Sequence, residues 1–295
     1  MNTIIIDGKK IADDIKSEIA IEVRSMLDSN KRVPHLAAVL VGEDPASLTY
    51  VNNKSKSCHE VGFTSSVYRY ESTISENKLL EAIDFLNNDD EVDGFIVQLP
   101  LPEHISVQKV ISRIKPSKDV DGFHPVNLGR MLLNEPSFLP ATPYGIIQLL
   151  ERYNIETEGK NCVVLGRSNI VGTPISVLLS RKAKPGNCTV TLCHSKTRNI
   201  KEICATADIL IVAIGKPQYV TADMVKKGAV VIDVGMHRIP SETTKSGFRL
   251  IGDVKYDEVF SKCSYISPVP GGVGLMTIAS LLSNTLKAYK KEFQF

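Results

Sequence analysis

The strongest constraint on this chain is an alternation. Short, continuous apolar runs rich in β-branched residues occur at Leu36-Ala-Ala-Val-Leu-Val41, Gly94-Phe-Ile-Val-Gln98, Cys162-Val-Val-Leu165, Thr189-Val-Thr-Leu192, Ile209-Leu-Ile-Val212 and Val230-Val-Ile-Asp233. Between them lie segments whose apolar residues recur at helical spacing. A strand that is apolar throughout must be covered on both faces, which a parallel sheet flanked by helices achieves. The expected fold class is therefore α/β.

The strands fall into two series, one ending near Gln98 and one running from about Cys162 to Ile266. Between them, Pro100, Pro102, Pro116, Pro125, Pro136, Pro140 and Pro143 interrupt long elements and suit a crossing between domains. In the last segment Met276, Ala279, Leu282, Leu286 and Tyr289 recur at helical spacing, which predicts one long helix over Leu275–Phe293. We expect it to pack back on the first domain.

Composition excludes several classes. A net charge of +2 gives no field for nucleic acid or an anionic membrane. With no tryptophan and 6% aromatics, a base-stacking surface is disfavoured. No apolar run approaches the ~18 residues of a membrane span, and Met1-Asn-Thr-Ile-Ile-Ile-Asp7 lacks the pattern of a signal peptide. The six cysteines form no Cys-x-x-Cys pair and read as free thiols in a reducing cytoplasm. Cys188, Cys193 and His194 match no common zinc spacing, so no metal site is expected.

Two regions carry chemistry. In the second half, Gly166-Arg-Ser-Asn-Ile-Val-Gly172-Thr-Pro174 follows an apolar strand and precedes a helical stretch over Ile175–Leu179. Strand, glycine turn and helix together aim backbone N–H groups at a pyrophosphate. The spacing departs from Gly-x-Gly-x-x-Gly, since Ser168 replaces the second glycine and Gly172 falls one residue late; a plain connecting turn is the competing reading. The next strand runs into His194-Ser195-Lys196-Thr197. An NAD site places an acid there for the ribose hydroxyl. Cations and hydroxyls there and at Arg167 suit a 2′-phosphate, so NADP is expected over NAD. Ala213-Ile-Gly-Lys-Pro217 and Asp233-Val-Gly-Met236 likewise end apolar strands with glycine, where open α/β sheets receive ligands.

In the first half, Leu48–Val61 reads as a helix with Leu48, Val51, Ser55 and Cys58 facing the core. Tyr50 and Lys54, four residues apart, are neighbours on a different face. Gln98 is a polar amide at the exit of a buried strand, and Lys118-Asp-Val-Asp-Gly122 puts two acids in a proline-flanked loop. Each feature alone is ordinary: a solvated lysine, a turn.

Together the segments resemble the bifunctional methylenetetrahydrofolate dehydrogenase/methenyltetrahydrofolate cyclohydrolase family over essentially the whole chain. The matching motifs are Tyr50-Val-Asn-Asn-Lys54-Ser-Lys56 with Gly62-Phe63, Val97-Gln-Leu-Pro-Leu101, Lys118-Asp-Val-Asp-Gly122, Gly166–Pro174 and Pro268-Val-Pro-Gly-Gly-Val-Gly274. The resemblance implies two domains with a cleft between them: a catalytic folate-binding α/β domain over 1–140, onto which a helix over about 275–295 packs back, and a Rossmann-like NADP-binding domain over 141–274. It also implies two reactions: NADP takes a hydride from 5,10-methylenetetrahydrofolate, and water opens the resulting methenyl cation to 10-formyltetrahydrofolate. Carried over by motif, Lys54 is the catalytic lysine, Gln98 tunes it, Tyr50 stacks on the folate and Asp121 binds the pterin. Gly271 and Gly272 belong to the folate wall. Gly166, Arg167, Ser168, Ser195 and Met236 belong to the cofactor site. A cytoplasmic homodimer acting on tetrahydrofolate derivatives, with no nucleic-acid or membrane partner, is the implied assembly. A monofunctional dehydrogenase and a catalytically silent binding protein are the alternatives. Leu275 stands where the family usually has proline, and Arg181–Asn187 is longer than the usual connection.

Overall fold

The computed structural model describes residues 2–242, 244 and 247–293. Eleven strands lie within them: β1 (Ile4–Ile5), β2 (His35–Val41), β3 (Thr64–Tyr70), β4 (Gly94–Val97), β5 (Asn161–Leu165), β6 (Thr189–Cys193), β7 (Ile209–Val212), β8 (Val230–Asp233), β9 (His237–Pro240), β10 (Phe248–Ile251) and β11 (Tyr265–Ile266). The chain divides into two compact units, one of residues 2–12 and 142–277, the other of residues 13–141 and 278–293.

The first unit is built on a six-stranded sheet in the order β1-β11-β8-β7-β5-β6, every pairing parallel. β5, β7 and β8 are buried almost throughout, as their continuous apolar sequences require. Their side chains join a core of Val163, Leu165, Leu210, Val212, Val231 and Ile266, closed by Met224, Val259 and Cys263. β9 and β10 form a separate antiparallel hairpin.

The second unit holds a parallel three-stranded sheet in the order β3-β2-β4. Ala37, Val39, Phe95 and Val97 pack against Leu79, Ile83 and Leu86 of the helix Glu76–Asn88. The proline-rich stretch belongs largely to this unit. Ile105, Val110 and Ile114 enter the core, and the crossing lies at 141/142. The final helix runs Val273–Tyr289, beginning two residues before and ending four before the expected Leu275–Phe293, and its residues from 278 onward belong to the second unit. Positions 294 and 295 lie outside the described residues. No helix among those described is long and apolar enough to cross a membrane, and all six cysteines are buried and unpaired.

Candidate functional site

The helix Pro45–Glu60 presents the lysine. Asp44 caps it by accepting from the Ser47 N–H at 2.8 Å, and Pro45 occupies its first turn. Its buried stripe is Ser47, Val51, Lys54 and Cys58, so the expected core face needs correcting. Leu48 and Ser55 are only half-buried, whereas Lys54 is 5% exposed. A lysine normally rotates its ammonium into water; here polar groups meet it inside.

The Lys54 amine donates to Gln98 Oε1 at 3.4 Å and lies 4.4 Å from the centroid of the Tyr50 ring. Gln98 follows β4, and its Nε2 donates to the Leu99 carbonyl at 2.7 Å, which turns its own carbonyl toward the amine. Burial pushes the lysine below its ordinary value, while the Asp121 carboxylate and the Cys58 thiol pull it upward. Burial likewise pushes Asp121 up, opposed by Lys54. Desolvation thus drives both groups toward their uncharged forms. The structure therefore brings Tyr50, Lys54, Gln98 and Asp121 into one group around an amine that burial pushes below its ordinary value.

The loop carrying Asp121 is held by Asp119, which the Lys118–Gly122 motif includes, and by Asn127 and Asn284, which no sequence pattern marked. Asp119 is buried and pushed up to about 6 by desolvation. Its carboxylate accepts from the backbone N–H groups of His124 (2.8 Å) and Phe123 (3.3 Å) and from Asn127 Nδ2 (2.8 Å). Asn284, 1% exposed on the final helix, donates both amide hydrogens to the loop region, to the carbonyls of Val120 (2.9 Å) and Leu139 (3.0 Å). Gly122 has φ +74°, and a Cβ there would lie 2.5 Å from the Leu139 carbonyl carbon. Asn284 lies between Ser283 and Thr285 in the final helix, and only the folded chain shows what it serves.

In the other unit, Gly166 ends β5 with φ +123°, and its N–H donates to the Cys193 carbonyl at the end of β6. A Cβ on Gly172 would lie 1.9 Å from the Gly166 oxygen, so the turn and the start of the helix Gly172–Ser180 interlock only as glycines. Ser168, in place of the second glycine, holds this turn: its Oγ accepts from the N–H groups of Val171 (3.2 Å) and Gly172 (3.3 Å). Arg167 and Ser168 are exposed, and so are Ser195 and Lys196 beyond β6. The neighbouring strand end offers no carboxylate, since His194 Nδ1 accepts from the Lys196 N–H and closes a tight turn. Glycine turn, exposed arginine and exposed hydroxyls fit a phosphorylated dinucleotide in charge and in space. Among the described residues, no group of three or more His, Cys, Asp or Glu could hold a metal ion.

Met236 is 58% exposed, and its sulfur lies 3.8 Å from where a Gly274 Cβ would stand. Gly271 and Gly272 serve a packing purpose in this unit. Gly271 has φ +103° and accepts from the Lys9 N–H at 3.1 Å. A Cβ on Gly8 would lie 2.1 Å from the Gly272 oxygen. Leu275 is 40% exposed in the first turn of the final helix, where proline's absence leaves the helix intact.

Comparison with known proteins agrees with this geometry. The model of the tetrahydrofolate dehydrogenase/cyclohydrolase catalytic domain matches residues 6–121, and that of the family's NAD(P)-binding domain matches residues 140–293. The chain is 62% identical to the bifunctional protein FolD of Porphyromonas gingivalis over 97% of each chain. Its structure is similar to the FolD methylenetetrahydrofolate dehydrogenase/cyclohydrolase of Campylobacter jejuni, with a TM-score of 0.92, 44% identity and coverage of 99% of this chain and 100% of that one. It is also similar to the Trypanosoma brucei enzyme complexed with NADP and an inhibitor, with a TM-score of 0.92, 35% identity and 99% of each chain covered. The chain belongs to the tetrahydrofolate dehydrogenase/cyclohydrolase family.

Proposed function

We propose that this chain oxidises 5,10-methylenetetrahydrofolate with NADP and then hydrolyses the 5,10-methenyl product to 10-formyltetrahydrofolate. The observation that carries this reading is the buried Lys54 amine, meeting Gln98 and the Tyr50 ring while burial favours its neutral form. A neutral amine that donates one hydrogen to Gln98 keeps its lone pair for a proton. It also avoids placing a second positive charge beside the methenyl cation.

NADP, when bound, takes the hydride from the methylene carbon. Lys54 accepts the proton of the water that adds to the methenyl carbon; the ring C–N bond then breaks as the added hydroxyl loses its proton and becomes the formyl carbonyl, and the freed ring nitrogen takes up the proton that Lys54 returns. Gln98 holds the amine in place. Tyr50 offers a ring face to the pterin, and the Asp121 carboxyl pairs with the pterin's polar edge. Gly271 and Gly272 contribute backbone to the folate wall. Gly166 and Ser168 shape the turn that receives the pyrophosphate, Arg167 and Ser195 meet the 2′-phosphate, and Met236 borders the cofactor. Folate chemistry falls to the unit around 13–141 and cofactor binding to that around 142–277. The working assembly and location are a homodimer in the cytoplasm, on the family resemblance alone.

The test follows NADPH and methenyltetrahydrofolate by absorbance with purified protein. NADPH formation with transient methenyl is expected. Accumulating methenyl would indicate a dehydrogenase alone, and no signal from either would overturn the reading. Comparable turnover with NAD at equal concentration would overturn the choice of NADP.

A further inference from the structure

Two loops leave the carboxyl ends of adjacent strands in the dinucleotide unit: residues 213–217 after β7 and residues 234–236 after β8. Both are pinned by one residue, Asp253, whose side chain is fully buried. Its Oδ2 accepts from two consecutive backbone N–H groups, Ile214 and Gly215, each at 2.9 Å. Its Oδ1 accepts from His237 Nε2 at 2.6 Å, and His237 directly follows Met236. A second buried carboxylate supports it: Asp233 accepts from the N–H groups of Gly235 and Asp253, each at 3.0 Å, and of Val254 at 2.9 Å.

The space for this arrangement is built in. A Cβ on Gly235 would lie 2.4 Å from the Asp253 carboxyl, and a Cβ on Gly252 would lie 1.8 Å from an Asp233 oxygen. Neither glycine has a positive φ, so each is needed for room rather than for backbone freedom. Burying two carboxylates side by side is an expensive way to close a loop. What it provides is geometric: a carboxylate oxygen shared by successive amides fixes both peptide planes.

We propose that Asp253, assisted by His237, is a positioning residue for the cofactor: it sets the Ile214–Gly215 backbone and the Met236 segment in the arrangement that receives the dinucleotide. The inference rests on the reading of this unit as the NADP site. It assigns these two residues an effect on cofactor affinity without a part in the chemistry on the folate.

The closing experiment uses the difference between the two reactions, since hydrolysis of methenyltetrahydrofolate consumes no nicotinamide. Full-length wild type, Asp253→Asn, His237→Ala and His237→Gln are compared by thermal melting, NADP titration, dehydrogenase kinetics and hydrolysis of added methenyltetrahydrofolate without cofactor. Loss of a buried hydrogen bond to a charged group is expected to raise the KM for NADP roughly ten- to a hundredfold in His237→Ala, with kcat and cofactor-free hydrolysis within about twofold of wild type. His237→Gln, which keeps a donor at the end of a similar reach, recovers part of the affinity. An unchanged KM for NADP in folded His237→Ala overturns the proposal. So does an equal loss of both activities, which marks a purely structural role. Should Asp253→Asn fail to fold, the two His237 variants still decide. If wild type shows no saturable NADP binding, the reading of the site fails first, and the proposal falls with it.

Discussion

Replacing Lys54 by methionine separates the chemistry of the amine from its cost to the fold. Methionine fills a similar volume and leaves the Val51 and Cys58 stripe covered, but it removes the nitrogen that meets Gln98 at 3.4 Å and lies 4.4 Å from the Tyr50 ring. General-base catalysis contributes about 10²- to 10⁴-fold, so hydrolysis of methenyltetrahydrofolate should fall by that factor, about 2.7–5.4 kcal/mol of transition-state stabilisation. Stability should move the other way. Burial holds the folded amine below its ordinary value, so below that value the unfolded chain binds more protons and folding is penalised. The penalty is about 1.4 kcal/mol for each unit of depression, and it fades as pH rises toward the ordinary lysine range. Lys54→Met should therefore melt higher than wild type at neutral pH, with the gap narrowing in alkaline buffer, while NADP titration is unchanged. The assays are the decay of methenyl absorbance and calorimetry at two pH values. Retained hydrolysis, or a lower melting temperature at neutral pH, would refute the assignment of a buried neutral base.

Four further outcomes follow from the same geometry. Asp121→Asn removes the carboxylate that pulls Lys54 upward, so the acid limb of the hydrolysis pH profile should move to lower pH and the KM for folate should rise; an unmoved profile counts against the pairing. Gly172→Ala places a Cβ 1.9 Å from the Gly166 oxygen; strain of about 1–3 kcal/mol should weaken NADP binding and spare cofactor-free hydrolysis, as kinetics on both reactions will read. Ser195→Asp supplies the missing acid for a ribose hydroxyl and repels a 2′-phosphate, so the ratio of NAD to NADP turnover should rise by at least about tenfold. Asn284→Leu strips two hydrogen bonds from the carbonyls of Val120 and Leu139; denaturant melts should show a loss of about 1–3 kcal/mol, with a raised KM for folate because the Asp121 loop loosens.

Strands buried on both faces were the most legible part of the fold. Ile209–Val212 and Val230–Asp233 match their apolar runs to the residue. β3, Thr-Ser-Ser-Val-Tyr-Arg-Tyr, went unread because it is an edge strand, half-exposed and polar, with no continuous apolar signal. β1 and β11 pair over two residues each, too few to carry a pattern. The helix bearing Lys54 was legible, but its inner face was not. Helical spacing of small, mostly apolar residues favoured Leu48 and Ser55, whereas the fold buries the amine where Gln98 can receive it. Asn284 and Asp253 act on backbone distant in sequence, so their partners exist only once the chain has closed.

The pairing of β1 with β11 has a consequence for biosynthesis. Ile4 and Ile5 are translated long before their partners, Tyr265 and Ile266. Until those emerge, two isoleucines wait without their neighbour, and a nascent or prematurely terminated chain carries an unpaired apolar strand that invites pairing with other molecules. Among the described strands β1 is thus translated first yet seated only when β11 has formed, and its docking serves as a seal on the sheet.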